Sequence, residues 1–87
     1  MLVVFEVYFA PGSDPDSVLT EETLRETQAQ VMTPEDAAKV GFSGLAPAED
    51  GVETRLIAVA SKDQRWIQRA LEASDAVARF RVHDVGA

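Results

Sequence analysis

Residues 54–85 read TRLIAVASKDQRWIQRALEASDAVARFRVHDV. This stretch divides into strand, helix and strand with short joints. Arg55 to Ala60 is an apolar run rich in branched residues and bounded by turn formers. Runs of that length read as strands buried on both faces. Ser61-Lys62-Asp63-Gln64 follows. Ser61 can accept the backbone N–H of Gln64, and Gln64 can reach back to the N–H of Ser61. That is the spacing of a capping box, so a helix is expected to begin at Lys62, with Asp63 suited to the positive end of its dipole. Trp66, Ile67, Ala70, Leu71 and Ser74 form one stripe, and Lys62, Arg65, Gln68, Arg69 and Glu72 form a polar back. The stripe places Trp66 in the core. If left partly exposed beside Arg65 and Arg69, the same residue would suit a partner anchor. Ser74-Asp75 ends the helix.

Ala76 to Val85 alternates. Ala78, Phe80 and Val82 point one way; Arg79, Arg81 and His83 point the other. A period of two marks a strand with one covered face. That face is expected to pack on the helix, leaving the basic row on the opposite side of the sheet. A strand–helix–strand unit this short makes its two strands parallel, joined by a right-handed crossover. It needs further strands to close a core.

The chain has 87 residues, which predicts a single domain spanning 1–87. A domain of this size buries roughly 60–65% of its unfolded surface, so its own core is modest and association would help it. There is no cysteine, hence no disulfide framework and no thiolate site. That fits a reducing compartment, and the expected location is cytoplasmic. No apolar run approaches the length of a membrane span. The N-terminus opens on a strand-like run without a basic leader.

The charge of −7 is unevenly spread. Residues 1–53 hold eleven acids and two bases, a net of −9; residues 54–87 hold four acids and six bases, a net of +2. A negative surface keeps a small protein soluble. It disfavours general nucleic-acid binding, where phosphate neutralisation needs a basic surface.

Leu2 to Phe9 is a strand apolar on both faces, as expected at a sheet centre. Val3, Phe5, Val7 and Phe9 form the side toward the helices. Leu2, Val4, Glu6 and Tyr8 form the other, which allows Glu6 to sit beside Arg79 or Arg81 of a neighbouring strand. Ala10 to Ser17 has two prolines, a glycine and two aspartates and reads as a loop. Asp14 and Asp16 suggest a calcium loop only until Val18 falls on a ligand position and Arg25 where a bidentate glutamate belongs. Residues 18–32 admit two readings. One is a helix capped by Thr20 with Glu21 and Glu22 in its first turn. The other is a polar edge strand from Leu24 to Met32. Thr33-Pro34-Glu35-Asp36 is a strong helix start, and Gly41 is its natural stop. Gly41-Phe42-Ser43-Gly44-Leu45 lacks the second glycine of a nucleophile elbow. Phe42 and Leu45 read as plugs docking the short helix. Residues 46–53 form an acidic, turn-rich loop.

These elements predict an α+β fold of the ferredoxin-like sandwich type: a mostly antiparallel sheet of about four strands, helices on one face, the first strand central. The other face would carry Leu2, Val4, Tyr8 and the basic row. It is too apolar at one end to rest in water, which predicts a homodimer through that open face.

The best candidate for a ligand or partner surface is Glu6, Tyr8, Arg79, Arg81 and His83, since guanidinium forks match anions. The plainer reading pairs these bases with Glu6 and with the acidic half of the chain. Asp84 cannot easily orient His83, because neighbours on a strand face opposite ways. No catalytic residue, metal site or cofactor is expected.

The leading functional reading is a non-enzymatic association module, a homodimer or accessory subunit with a possible protein partner and no membrane. The alternative is a small ligand-binding protein or enzyme of the dimeric ferredoxin-like type, with a pocket near His83, Tyr8 and Arg81. A third is an acidic mimic of nucleic acid. It requires Glu21, Glu22, Glu26, Glu35, Asp36, Glu49 and Asp50 to cluster on one surface.

Overall fold

The computed structural model describes residues 2–39, 41 and 52–85. Four strands form one sheet: β1 (Leu2–Phe9), β2 (Gln30–Met32), β3 (Glu53–Ala60) and β4 (Val77–Val85). Four α-helices lie between them among the described residues: α1 (Pro15–Val18), α2 (Glu21–Thr27), α3 (Pro34–Lys39) and α4 (Gln64–Glu72). The strand order is β2-β3-β1-β4, and every pairing is antiparallel. The fold is therefore α+β. Because β3 and β4 both run against β1, which lies between them, they run parallel to each other, as the strand–helix–strand reading requires.

The central strand is the most apolar one. Val3, Phe5, Val7 and Phe9 are wholly buried. With Ile57 and Val59 of β3 they form one side of the sheet, against Ile67 and Leu71 of α4 and Leu19 after α1. Phe80 reaches the same core from β4, its ring centroid 5.7 Å from that of Phe5. Val82, expected under the helix, stands opposite Phe5 but is 40% exposed, because β4 is an edge strand.

Helix starts follow local chemistry. Thr20 Oγ1 accepts the N–H of Thr23 at 3.1 Å, and Glu21 and Glu22 fill the first turn of α2. Thr33 Oγ1 accepts the N–H of Asp36 at 3.1 Å, with Pro34 first in α3. Gly41 follows that helix at φ +92°, a conformation open to glycine without a Cβ penalty.

Four readings are resolved or corrected. Residues 18–32 hold both readings in series, a helix and then a strand of three residues. The loop after β1 contains a helical turn: Asp14 caps α1 by accepting the N–H of Asp16 at 3.0 Å, so its carboxylate is engaged in the chain's own turn. The Ser61 capping box does not form. Ser61–Asp63 is a 3₁₀ turn without a side-chain cap, and α4 starts at Gln64.

The fourth correction concerns the layers. The helices are not all on one face. Ala37 of α3 is wholly buried against Val4, Leu56 and Val85, which belong to the side away from α2 and α4. That side is covered within the chain: Val4 and Glu6 are 0% exposed and Tyr8 is 3% exposed. The apolar open face that motivated a sheet-to-sheet homodimer is absent. The suggested plugs Phe42 and Leu45 lie outside the described residues.

Candidate functional site

Strand alternation brings the five expected residues onto one face. Glu6 stands opposite Arg81, Val4 opposite His83, and Tyr8 opposite Arg79. Directly opposed residues on neighbouring strands share a face. Oε1 of Glu6 lies 3.4 Å from Nε2 of His83 and 3.9 Å from Nη1 of Arg81. The Arg79 guanidinium sits over the Tyr8 ring, 4.6 Å from its centroid.

Burial decides what this group does. A carboxylate taken out of water is costly unless charges and hydrogen bonds replace its hydration. Glu6 is wholly buried, while the side chains of His83 and Arg81 are 28% and 57% exposed. The two bases lean inward to a fixed acid. The Arg81 charge and a ring nitrogen of His83 are turned to Glu6 before any anion arrives. Tyr8 is buried beside them, and among the described residues its hydroxyl meets no partner at full hydrogen-bond geometry, with Glu6 and Arg81 as its polar neighbours. Burial raises its pKa above the ordinary 10.0, and the Glu6 carboxylate adds to the rise; Arg81 opposes it. This is a neutralised polar cluster inside the fold. Among the described residues no group of His, Asp and Glu has a metal-binding arrangement.

The acids expected to act as a nucleic-acid mimic do not share one surface. Glu21, Glu22 and Glu26 are on α2, whereas Glu35 and Asp36 are on α3, across the sheet. Glu49 and Asp50 lie outside the described residues.

A different surface stands out on α4. Ile67 and Leu71 face the core. Trp66 is one residue from Ile67, a rotation of about 100° on a helix, which carries it to the flank. It is 44% exposed, against the core position read from its stripe. The Arg65 and Arg69 guanidinium carbons lie 4.7 and 5.7 Å from its ring. Cation–π pairs at exposed positions contribute about 0.5–1 kcal/mol each, enough to hold the ring between two cations. Lys62 is exposed one turn before. Beside them an open depression of about 470 Å³ is lined by Ser61, Lys62, Gln64, Arg65 and Gln68. The signal for this patch was Trp66 beside Arg65 and Arg69, the ring read as part of an apolar stripe and the arginines as its polar back.

No protein-family model matches the chain, and no curated protein matches it in sequence. No helix among the described residues is long and apolar enough to cross a membrane.

Proposed function

We propose that the chain is a non-enzymatic, cytoplasmic association module that docks an acidic helix face of a partner on the flank of α4. We read its sheet as ferredoxin-like. The order β2-β3-β1-β4 with antiparallel pairing throughout supports that reading, with α3 as an addition between the second and third strands. The observation that carries the function is the half-exposed Trp66 between Arg65 and Arg69, on a basic flank of a chain whose net charge is −7. Tryptophan and arginine are the side chains most enriched where binding energy concentrates. Partner acids are attracted to this flank while the ring supplies the apolar contact.

Trp66 is the single tryptophan, so its emission reports this surface alone. A short glutamate-rich helical peptide should shift that emission saturably at low salt, and about 1 M salt, where the Debye length is about 3 Å, should reverse the shift. Arg65→Glu with Arg69→Glu should abolish it. An unchanged emission, or a response equal in the variant, would rule the docking flank out.

A second reading, a small-ligand pocket near His83, Tyr8 and Arg81, is favoured by one observation: the buried Tyr8 hydroxyl, which meets no partner at full hydrogen-bond geometry among the described residues. The commitment of Arg81 and His83 to Glu6 weighs against it.

A further inference from the structure

The helical side of the sheet carries opposite charges on adjacent helices. α2 presents Glu21, Glu22 and Glu26 to solvent, with Arg25 as its single base. The α4 segment presents Lys62, Arg65 and Arg69 around Trp66. The two helices pack against each other in one layer. The large apolar residues left exposed among those described are Val31, Trp66 and Val82. All three belong to this side. Val31 stands opposite Ile57 and Val82 opposite Phe5, and both partners lie in the core beneath the helices. The other face buries Val4, Leu56 and Val85 against Ala37.

We infer that the partner docked by this layer is a second copy of the chain, related by a two-fold axis, with α4 of each copy lying on α2 of the other. This rests on the docking reading above and names its partner. A two-fold interface is isologous, so whatever α4 meets on its partner is met again in reverse. Superposing α2 on α2 and α4 on α4 would oppose like charges. Exchanging them pairs Glu22 and Glu26 with Arg65 and Arg69 twice over. An unrelated acidic surface fits less well, because it would be attracted by α4 and repelled by the acids of α2 beside it. Complementary potentials of this kind fix register and exclude wrong partners. Val31 and Val82, at the two sheet edges, flank the layer and add apolar area at its rims.

The test is a charge exchange read by sedimentation of the full chain at micromolar concentration. Wild type should run at twice the chain mass. Arg65→Glu with Arg69→Glu, and separately Glu22→Arg with Glu26→Arg, should each weaken association more than about tenfold, because like charges then oppose one another. An equimolar mixture of the two variants should return to twice the chain mass, since each supplies what the other lost. That recovery also shows that both variants are folded. A wild type at single-chain mass overturns the inference, as do variants that still self-associate or folded variants whose mixture stays monomeric. A monomeric wild type whose Trp66 emission still answers the glutamate-rich peptide overturns the second copy and leaves the docking flank standing. A wild type that does neither removes both.

Discussion

Glu6 and Tyr8 show how a residue can be read correctly in place and wrongly in depth. The alternation of Leu2 to Phe9 puts Glu6 beside Arg81, and the register agrees. Depth is a different matter, because it depends on what covers that face. Ala37 covers the neighbouring Val4 from about thirty residues away in sequence, and no local period reports a cover of that kind. The consequence can be measured at Tyr8, the single tyrosine. Its hydroxyl is buried and meets no acceptor or donor at full hydrogen-bond geometry among the described residues, so only its polar neighbours Glu6 and Arg81 offset the cost of desolvation. Tyr8→Phe is expected to leave stability at neutral pH within about 1 kcal/mol of wild type, on either side of zero. The alkaline limb should differ. The folded-state pKa of Tyr8 is raised above 10.0, so the unfolded chain loses this proton first. Stability from the neutral hydroxyl is complete below pH 10 and is lost as the pH climbs through the folded value. Urea melts against pH should therefore fall less steeply above pH 10 in Tyr8→Phe. Equal slopes in the two proteins would remove Tyr8 from the alkaline transition.

At the scale of elements, start signals were legible where cap and proline stood next to a clear run. Thr33-Pro34 is such a case. Asp14-Pro15 uses the same grammar, cap followed by proline at the first helical position. It passed for loop because Pro11, Gly12 and Ser13 precede it and the helix lasts four residues. β2 has three residues, too few for a period of two to be seen. Ser61 is the opposite failure: the spacing was there and the backbone took a 3₁₀ turn instead. This contrast gives a paired prediction. Thr20→Ala removes the acceptor of the Thr23 N–H and should cost about 0.5–2 kcal/mol, as cap removals do. Ser61→Ala removes no cap and should stay within about 0.5 kcal/mol. Denaturant midpoints of the two variants decide it; a loss at Ser61 equal to that at Thr20 would restore the capping box. Trp66 belongs at this scale too. A stripe of Trp66, Ile67, Ala70 and Leu71 is wider than the strip that nine residues of α4 press onto the sheet, and the core takes the Ile67 and Leu71 edge. Which edge of a wide stripe is buried depends on the neighbouring helix, and α2 lies in a stretch whose reading was open.

For the whole molecule, the decisive feature is that β1 serves two clusters. Its odd-numbered residues Val3, Phe5, Val7 and Phe9 belong to the helical side; Val4, with Leu2 packed against it, belongs to the side closed by Ala37. β3 divides in the same way, Ile57 and Val59 to one side and Leu56 to the other. Neither cluster can lose its strand without the other losing the same strand. A small domain built so should unfold in one cooperative step. The chain provides a probe for each side. Trp66 sits on the helical layer, and Tyr8 on the face that holds Glu6 and Val4. Urea transitions followed by Trp66 fluorescence and by Tyr8 absorbance should therefore superimpose, with one midpoint and one slope. Local opening is still possible where few buried contacts hold an element, and α3 contributes one buried residue, Ala37. Were the cover over this face to release first, Tyr8 would gain solvent at lower urea than Trp66 changes its emission. Two separated midpoints would then show that this cover is of low stability. Coincidence would show that a single strand, buried on both faces, ties the Glu6 cluster and the helical docking layer into one folding unit.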